Sequence, residues 1–292
     1  MAKRFATERQ MNLALATANS AGIVRIDRCL SRRNHRLYRE GRTYTAKIDL
    51  NPEDAMDGNF VEVYTIKDTW FTQKAWQLAF QEYLTATMKE RRKASKSHLA
   101  RWNDFRVNEG TNLAELLPRH FNQAGGVTNE SAGEFVLSKV EDSAGAVRTW
   151  TWDPQPGASE FSIMTEYDKA GNTNSQPTSP NLDQPYSEMD SDVSNNEWDD
   201  VTDSGNLPPY NQNGLDPLFP WNKVATLSVA PGRQKLSTGF FDAPCGIVML
   251  RGLRSDAQQE VVLTVKNGDY KGVHAIRMYD SIKETSDSVV VN

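Results

Sequence analysis

The chain contains only 2 Cys in 292 residues, Cys29 and Cys245, too few and too far apart for a disulfide framework. No CxxC pair or His/Cys cluster accompanies them, which excludes the usual zinc-site spacings. No window approaches 18 consecutive apolar residues, so a membrane-spanning helix is not expected. Nucleotide-binding loops of the GxxxxGK(S/T) or GxGxxG type are missing, as are a GxSxG elbow and an HExxH helix. The four histidines, His35, His98, His120 and His274, are scattered, and His35 and His120 each adjoin an arginine; a surface or structural role is preferred for them over general-base work. Nothing therefore marks an enzyme. Lysine and arginine are absent from residues 170–222, although that stretch holds nine acids.

What is present is enough for a folded core: 7 Trp, 9 Tyr and 11 Phe exclude wholesale disorder. A net charge of −5 conceals a segregated distribution. Residues 1–50 carry eleven Lys/Arg against four acids, and nine of the eleven are Arg. Residues 88–106 add seven bases against two acids. A basic block is commonly a solvated face, but Arg suits phosphate with its planar fork, and released counterions favour polyanion binding. The candidate nucleic-acid-binding residues are therefore Lys3, Arg4, Arg9, Arg25, Arg28, Arg32, Arg33, Arg36, Arg39 and Arg42, with Arg91, Arg92 and Lys93 at the end of a helix. For those last three, complementing the helix dipole is a competing structural role.

The opening residues place bases first, but Glu8, Arg9, Gln10 and Asn12 interrupt the hydrophobic region a secretory signal needs; a transit peptide is the lesser reading of the same composition. Thr7 and Gln10 have capping-box spacing, and Met11, Leu15 and Ala18 follow at helical intervals, which predicts a short helix up to Gly22. From 23 onward the period becomes two: Val24 and Ile26 alternate with Arg25 and Asp27, and Tyr44, Ala46, Ile48 and Leu50 alternate with polar residues. These predict strands joined by a hairpin around Gly41. FVEVYTI (60–66) reads as a further strand, and Trp76, Phe80, Tyr83, Leu84, Thr87 and Met88 predict a helix over about 72–94. Ser97 is read as the cap of a second short helix holding Leu99, Trp102 and Phe105.

Beyond 133, strand-like runs separated by turn signals dominate: EFVLSKV (134–140), AVRTWTW (146–152), EFSIMTEY (160–167), VATLSVA (224–230), GIVMLRG (246–252), EVVLTVK (260–266), GVHAIRM (272–278) and SVVV (288–291). The expected fold is mainly β, an antiparallel sandwich or barrel with a helical insertion and long loops. The organisation expected is a basic arm over 1–50, with a short helix and the first strands, and a β body over 51–292. That body holds a helical insertion at about 70–106 and an acidic loop at about 168–222. Asp190, Asp192, Glu197, Asp199, Asp200 and Asp203 supply oxygen ligands, but Asn195 and Val201 break the EF-hand pattern, so a solvated loop is preferred to a calcium site between subunits.

Four segments carry a resemblance: the basic lead-in through Arg42; FVEVYTI with its insertion ending in RWNDFR (101–106); FDAPCGIVML (241–250); and VKNGDYKGVHA (265–275). With them the chain resembles capsid proteins of small icosahedral viruses, most of all those of single-stranded DNA (CRESS-type) viruses. The resemblance implies a jelly-roll-like shell subunit that assembles with copies of itself inside the host cell and resides in the virion. Its basic arm would face the genome, DNA in preference to RNA, with no membrane or cofactor involved. Helix and strand signals within the arm also fit a folded element that clamps a neighbouring subunit. On this reading, Gln in place of the arginines between Arg25 and Arg42 reduces packaging and leaves the fold intact. A non-enzymatic β-sandwich that recognises glycans or a receptor through Tyr186, Trp198 and Tyr210 is the alternative; an enzyme with a spatially assembled site and a nucleic-acid binder that does not assemble come after it.

Overall fold

The computed structural model describes residues 6–13, 21–51, 60–93, 102–111, 113–121, 126–141, 145–171, 220–228, 235–252 and 260–278. Strand β1 (Gln10–Leu13) and β2 (Ala21–Arg25) lead into helix α1 (Ile26–Arg33), followed by β3 (Arg42–Asn51) and β4 (Phe60–Ile66). Helix α2 (Trp70–Lys93), β5 (Arg119–Phe121), β6 (Val127–Asn129), β7 (Lys139–Glu141), β8 (Val147–Thr151), β9 (Glu160–Ser162) and helix α3 (Ile163–Gly171) come next. Strands β10 (Trp221–Ser228), β11 (Leu236–Ser237), β12 (Phe241–Ala243), β13 (Ile247–Arg251), β14 (Glu260–Val265) and β15 (Ala275–Arg277) complete the order.

Two antiparallel sheets form the body. One runs β1-β14-β3, with β11 and β12 on the far edge of β3 and β15 beside its first residues; the other runs β2-β13-β4-β10. Outside the segment between β4 and β10, successive strands alternate between the sheets except that β4 and β10 are neighbours and that β14 and β15 both pair with β3. With β11 and β12 taken as one broken strand and the short β15 set apart, that is the eight-strand order of a jelly roll. Everything between β4 and β10 is a single insertion.

Hydrophobic pattern explains the layering. On β3, Tyr44, Ala46, Ile48 and Leu50 point into the space between the sheets with Val61, Val63, Val248, Leu250, Val261 and Leu263. Strand β13 is apolar from Ile247 to Leu250 because both its faces are covered there. Val248 and Leu250 face that inner core, whereas Ile247 and Met249 face an outer one with Trp76, Phe105, Trp150, Trp152 and Met164 of the insertion. Aromatic rings fill the outer core: Trp76 stacks on Phe80 at 5.0 Å, and Phe105 lies 5.0–5.8 Å from Trp76, Phe80, Tyr83 and Trp150. Gly41 lets Trp76 approach the chain, since a Cβ there would lie 2.2 Å from the indole.

Several local expectations are corrected. Residues 10–13 are a strand, not the start of a helix: Met11 and Leu13 alternate inward against β14, and that ladder outweighs the capping-box signal. The strand from 23 ends at Arg25, because Ile26, Cys29 and Leu30 recur at helical spacing and bury one face of α1. Asp27 in the first turn and Arg32 and Arg33 in the last also suit the dipole of α1. No hairpin forms at Gly41, since β2 and β3 belong to different sheets. Residues 102–107 are not helical; Phe105 and Val107 enter the outer core from an extended segment. The run 160–167 is a strand only to Ser162 and then becomes α3, and 134–138 lacks strand pairing. The SVVV run and most of the acidic loop, with its six candidate calcium ligands, lie outside the described residues.

Candidate nucleic-acid interface

The arginines of the basic lead-in divide into two classes. Arg25 is 1% exposed; its Nη2 donates to Val107 O at 2.8 Å and lies 3.0 Å from Glu109, with Glu40 at 3.7 Å from Nη1. Arg28 and Arg32, one turn apart on α1, hold the two carboxylate oxygens of Glu115 at 2.9 and 2.6 Å. Arg33 pairs with Glu130 at 3.2 Å and donates to Arg119 O at 2.6 Å. These four side chains fasten the insertion to the jelly roll. Their guanidinium groups face carboxylates of the same chain, and Arg25 is enclosed at 1% exposure. Replacing them with Gln is accordingly expected to disturb the fold, contrary to the expectation from sequence.

The second class gathers at the end of the sandwich where β3 begins. Helix α1 closes in a Schellman turn, with His35 N–H donating to Arg32 O and Arg36 N–H to Ser31 O. His35 takes the left-handed position, φ 47°, that glycine usually fills. That turn sends Arg36 and Arg39 outward, and the Arg39 side chain is 55% exposed. Arg42 stacks its guanidinium 3.4 Å from the Tyr270 ring centroid and donates to Ala275 O at 2.8 Å. Lys271 donates to Leu37 O and lies 5.2 and 5.7 Å from the Tyr270 and Tyr38 rings. Arg9 joins through bonds to Asn267 Oδ1 at 2.9 Å and Gly272 O at 3.4 Å.

The loop that presents Tyr270 and Lys271 is held firmly. Tyr38 and Tyr270 meet edge to face at 5.9 Å, and Tyr38 Oη donates to Lys271 O at 2.9 Å. Below them Thr45 Oγ1 lies 2.5 Å from Asp242 Oδ1 and 2.9 Å from His274 Nδ1. Partial burial, and then repulsion from Arg36, Arg39 and Arg42, holds the Lys271 ammonium below the usual lysine range, with Asp104 opposing. The guanidinium groups of Arg36, Arg39 and Arg42 thus act on one ammonium, with Asp104, which pairs with Arg39 at 2.8 Å, acting against them. Such a field attracts polyanions.

Comparison with known protein families, curated proteins and solved structures found no match.

Of the thirteen candidate residues, the structure brings Arg9, Arg36, Arg39 and Arg42 together and turns Arg25, Arg28, Arg32 and Arg33 into internal anchors. Lys3 and Arg4, and the side chains of Arg91, Arg92 and Lys93 in the last turns of α2, lie outside the described residues. Lys271 and the tyrosines Tyr38 and Tyr270 were missed from sequence. The pairing of Tyr270-Lys271 just after the Asn267-Gly268 turn was the available signal.

Proposed function

We propose that this chain is a structural shell protein: a jelly-roll subunit that assembles with copies of itself into an icosahedral particle and holds the packaged genome against the Arg36–Arg39–Arg42–Lys271 cluster. Jelly rolls also serve lectin domains and other binding proteins, so the strand order alone decides little. The observation that carries the reading is the charge arrangement. The α1 arginines are engaged inside the subunit, and a separate set of cations is displayed at one end of the sandwich. The exposed Val127 and Val147 on the insertion suit burial between subunits.

The test uses an Arg36→Gln/Arg42→Gln/Lys271→Gln variant, which leaves the α1 anchors intact. Its affinity for single-stranded nucleic acid should fall, with the slope of log affinity against log salt reduced by about 2 for three lost phosphate contacts. Particles formed from it should carry less nucleic acid than wild type. Unchanged slope and unchanged nucleic-acid content would overturn the proposal. A glycan-binding module, the other reading of the sequence, rests on Tyr186, Trp198 and Tyr210, which lie outside the described residues.

A further inference from the structure

Beside the cation cluster lies a groove of about 910 Å³, within the range of small-ligand sites. Helix α1 supplies one side and the segment 130–139 the other, and Tyr83 and the 102–106 stretch form the remaining wall. Two residues connect groove and cluster. His35 lines the groove and is followed directly by Arg36; Asp104 also lines it, bonding Arg39 Nη1 at 2.8 Å and the Glu40 N–H at 2.9 Å.

The chemistry of the groove differs from that of the cluster. Tyr83, Trp102 and Phe135 present aromatic surface, and Asn103, Ser131 and His35 offer hydrogen-bonding groups in the same space. Asp104, Glu130 and Glu134 balance Arg32, Arg106 and Lys139, so a phosphate gains nothing by entering. The wall is preformed rather than loose: Arg28, Arg32 and Arg106 surround the Phe135 ring at 5.5, 4.9 and 5.2 Å, and Arg32 donates to Ala132 O from Nε and Nη2. Arg106, 4% exposed, keeps its Nε without a hydrogen-bond partner among the described residues. A neutral planar ring with polar edges matches these features.

We propose that this groove receives an unstacked base of a single-stranded nucleic acid whose phosphates lie on the Arg36–Arg39–Arg42–Lys271 cluster. The inference rests on the polyanion reading of that cluster and adds the ligand class: single strands in preference to duplexes, recognised through a base and not the backbone alone. Aromatic residues that stack on bases accept any base face, so the preference is for strand state and not for sequence.

Fluorescence anisotropy tests it with labelled oligonucleotides about a dozen nucleotides long, made as DNA, as RNA, as duplex DNA, and as an abasic phosphodiester strand of equal charge. Wild-type protein should bind either single strand on the order of tenfold or more tighter than the abasic strand, and tighter than the duplex. Trp102→Ala, at a 40% exposed residue, should erase most of that advantage while leaving abasic binding unchanged. The Arg36→Gln/Arg42→Gln/Lys271→Gln variant should weaken every strand alike. Equal wild-type affinity for base-bearing and abasic strands would overturn the groove proposal and leave the polyanion reading standing. Insensitivity of all strands to the triple variant would overturn the polyanion reading, and the groove proposal with it. Photocrosslinking of a thiouridine-bearing strand to Trp102 or Tyr83 supports the proposal without a variant, and crosslinks confined to other surfaces contradict it.

Discussion

Glu115→Ala removes the one carboxylate that both Arg28 and Arg32 grip. The oxygens of Glu115 lie 2.9 and 2.6 Å from the two guanidinium groups, whose side chains are 12% and 7% exposed against 22% for Glu115. Removing the acid leaves two largely buried cations without their partner. A hydrogen bond to a charged group contributes about 1.5–3 kcal/mol, and partial solvent access lowers the sum of two. The expected loss is about 3 kcal/mol, near the range for breaking a buried pair by deleting one partner. For a chain of this size that corresponds to a fall in Tm of about 6 °C. Urea denaturation followed by tryptophan fluorescence, with thermal unfolding alongside, measures it. A loss below about 0.5 kcal/mol, the scale of an exposed pair, would refute the assignment of these arginines as internal anchors and return them to the pool available for polyanions.

Gly41→Ala should be as damaging for a different reason: its Cβ would meet the buried Trp76 indole at 2.2 Å, and overpacking of this kind costs about 1–3 kcal/mol, read as a lower denaturation midpoint. A midpoint equal to wild type would show that Trp76 yields freely. Burial, with added repulsion from Asp27 and against attraction from Arg25, pushes the Glu40 carboxyl up to about 7 from an ordinary 4.5. The folded chain therefore binds this proton more tightly than the unfolded one. Its contribution to stability is full below 4.5 and lost as pH rises through about 7. Stability should consequently decline between those limits, and Glu40→Gln should flatten the decline; parallel pH profiles for the two proteins would contradict this.

Much of the sandwich was legible because its strands obey simple periods. Tyr44, Ala46, Ile48 and Leu50 alternate cleanly, the 247–250 run is apolar on both faces, and α2 shows its stripe from Trp76 to Met88. Where two periods coexisted, tertiary pairing decided. Met11 fits a helix with Leu15 and a strand with Leu13, and the partner β14 selects the strand. Val24 and Ile26 continue a strand pattern, but Ile26, Cys29 and Leu30 bury the face of a helix.

The site was legible only as composition. That nine of the first fifty residues are arginines was visible, but Glu115 lies more than 80 positions beyond the arginines it neutralises, and nothing in a single sequence links them. Lys271 escaped notice because a lone lysine forms no charge block; it joins the cluster through the turn that places it over Tyr38 and Tyr270.

Assembly is the most direct test of the shell reading. Size-exclusion chromatography with light scattering, paired with negative-stain microscopy, is run at low and high salt with and without single-stranded nucleic acid. Closed particles of uniform diameter that form more readily with nucleic acid are the predicted result, and a monomer indifferent to salt and nucleic acid would contradict the account.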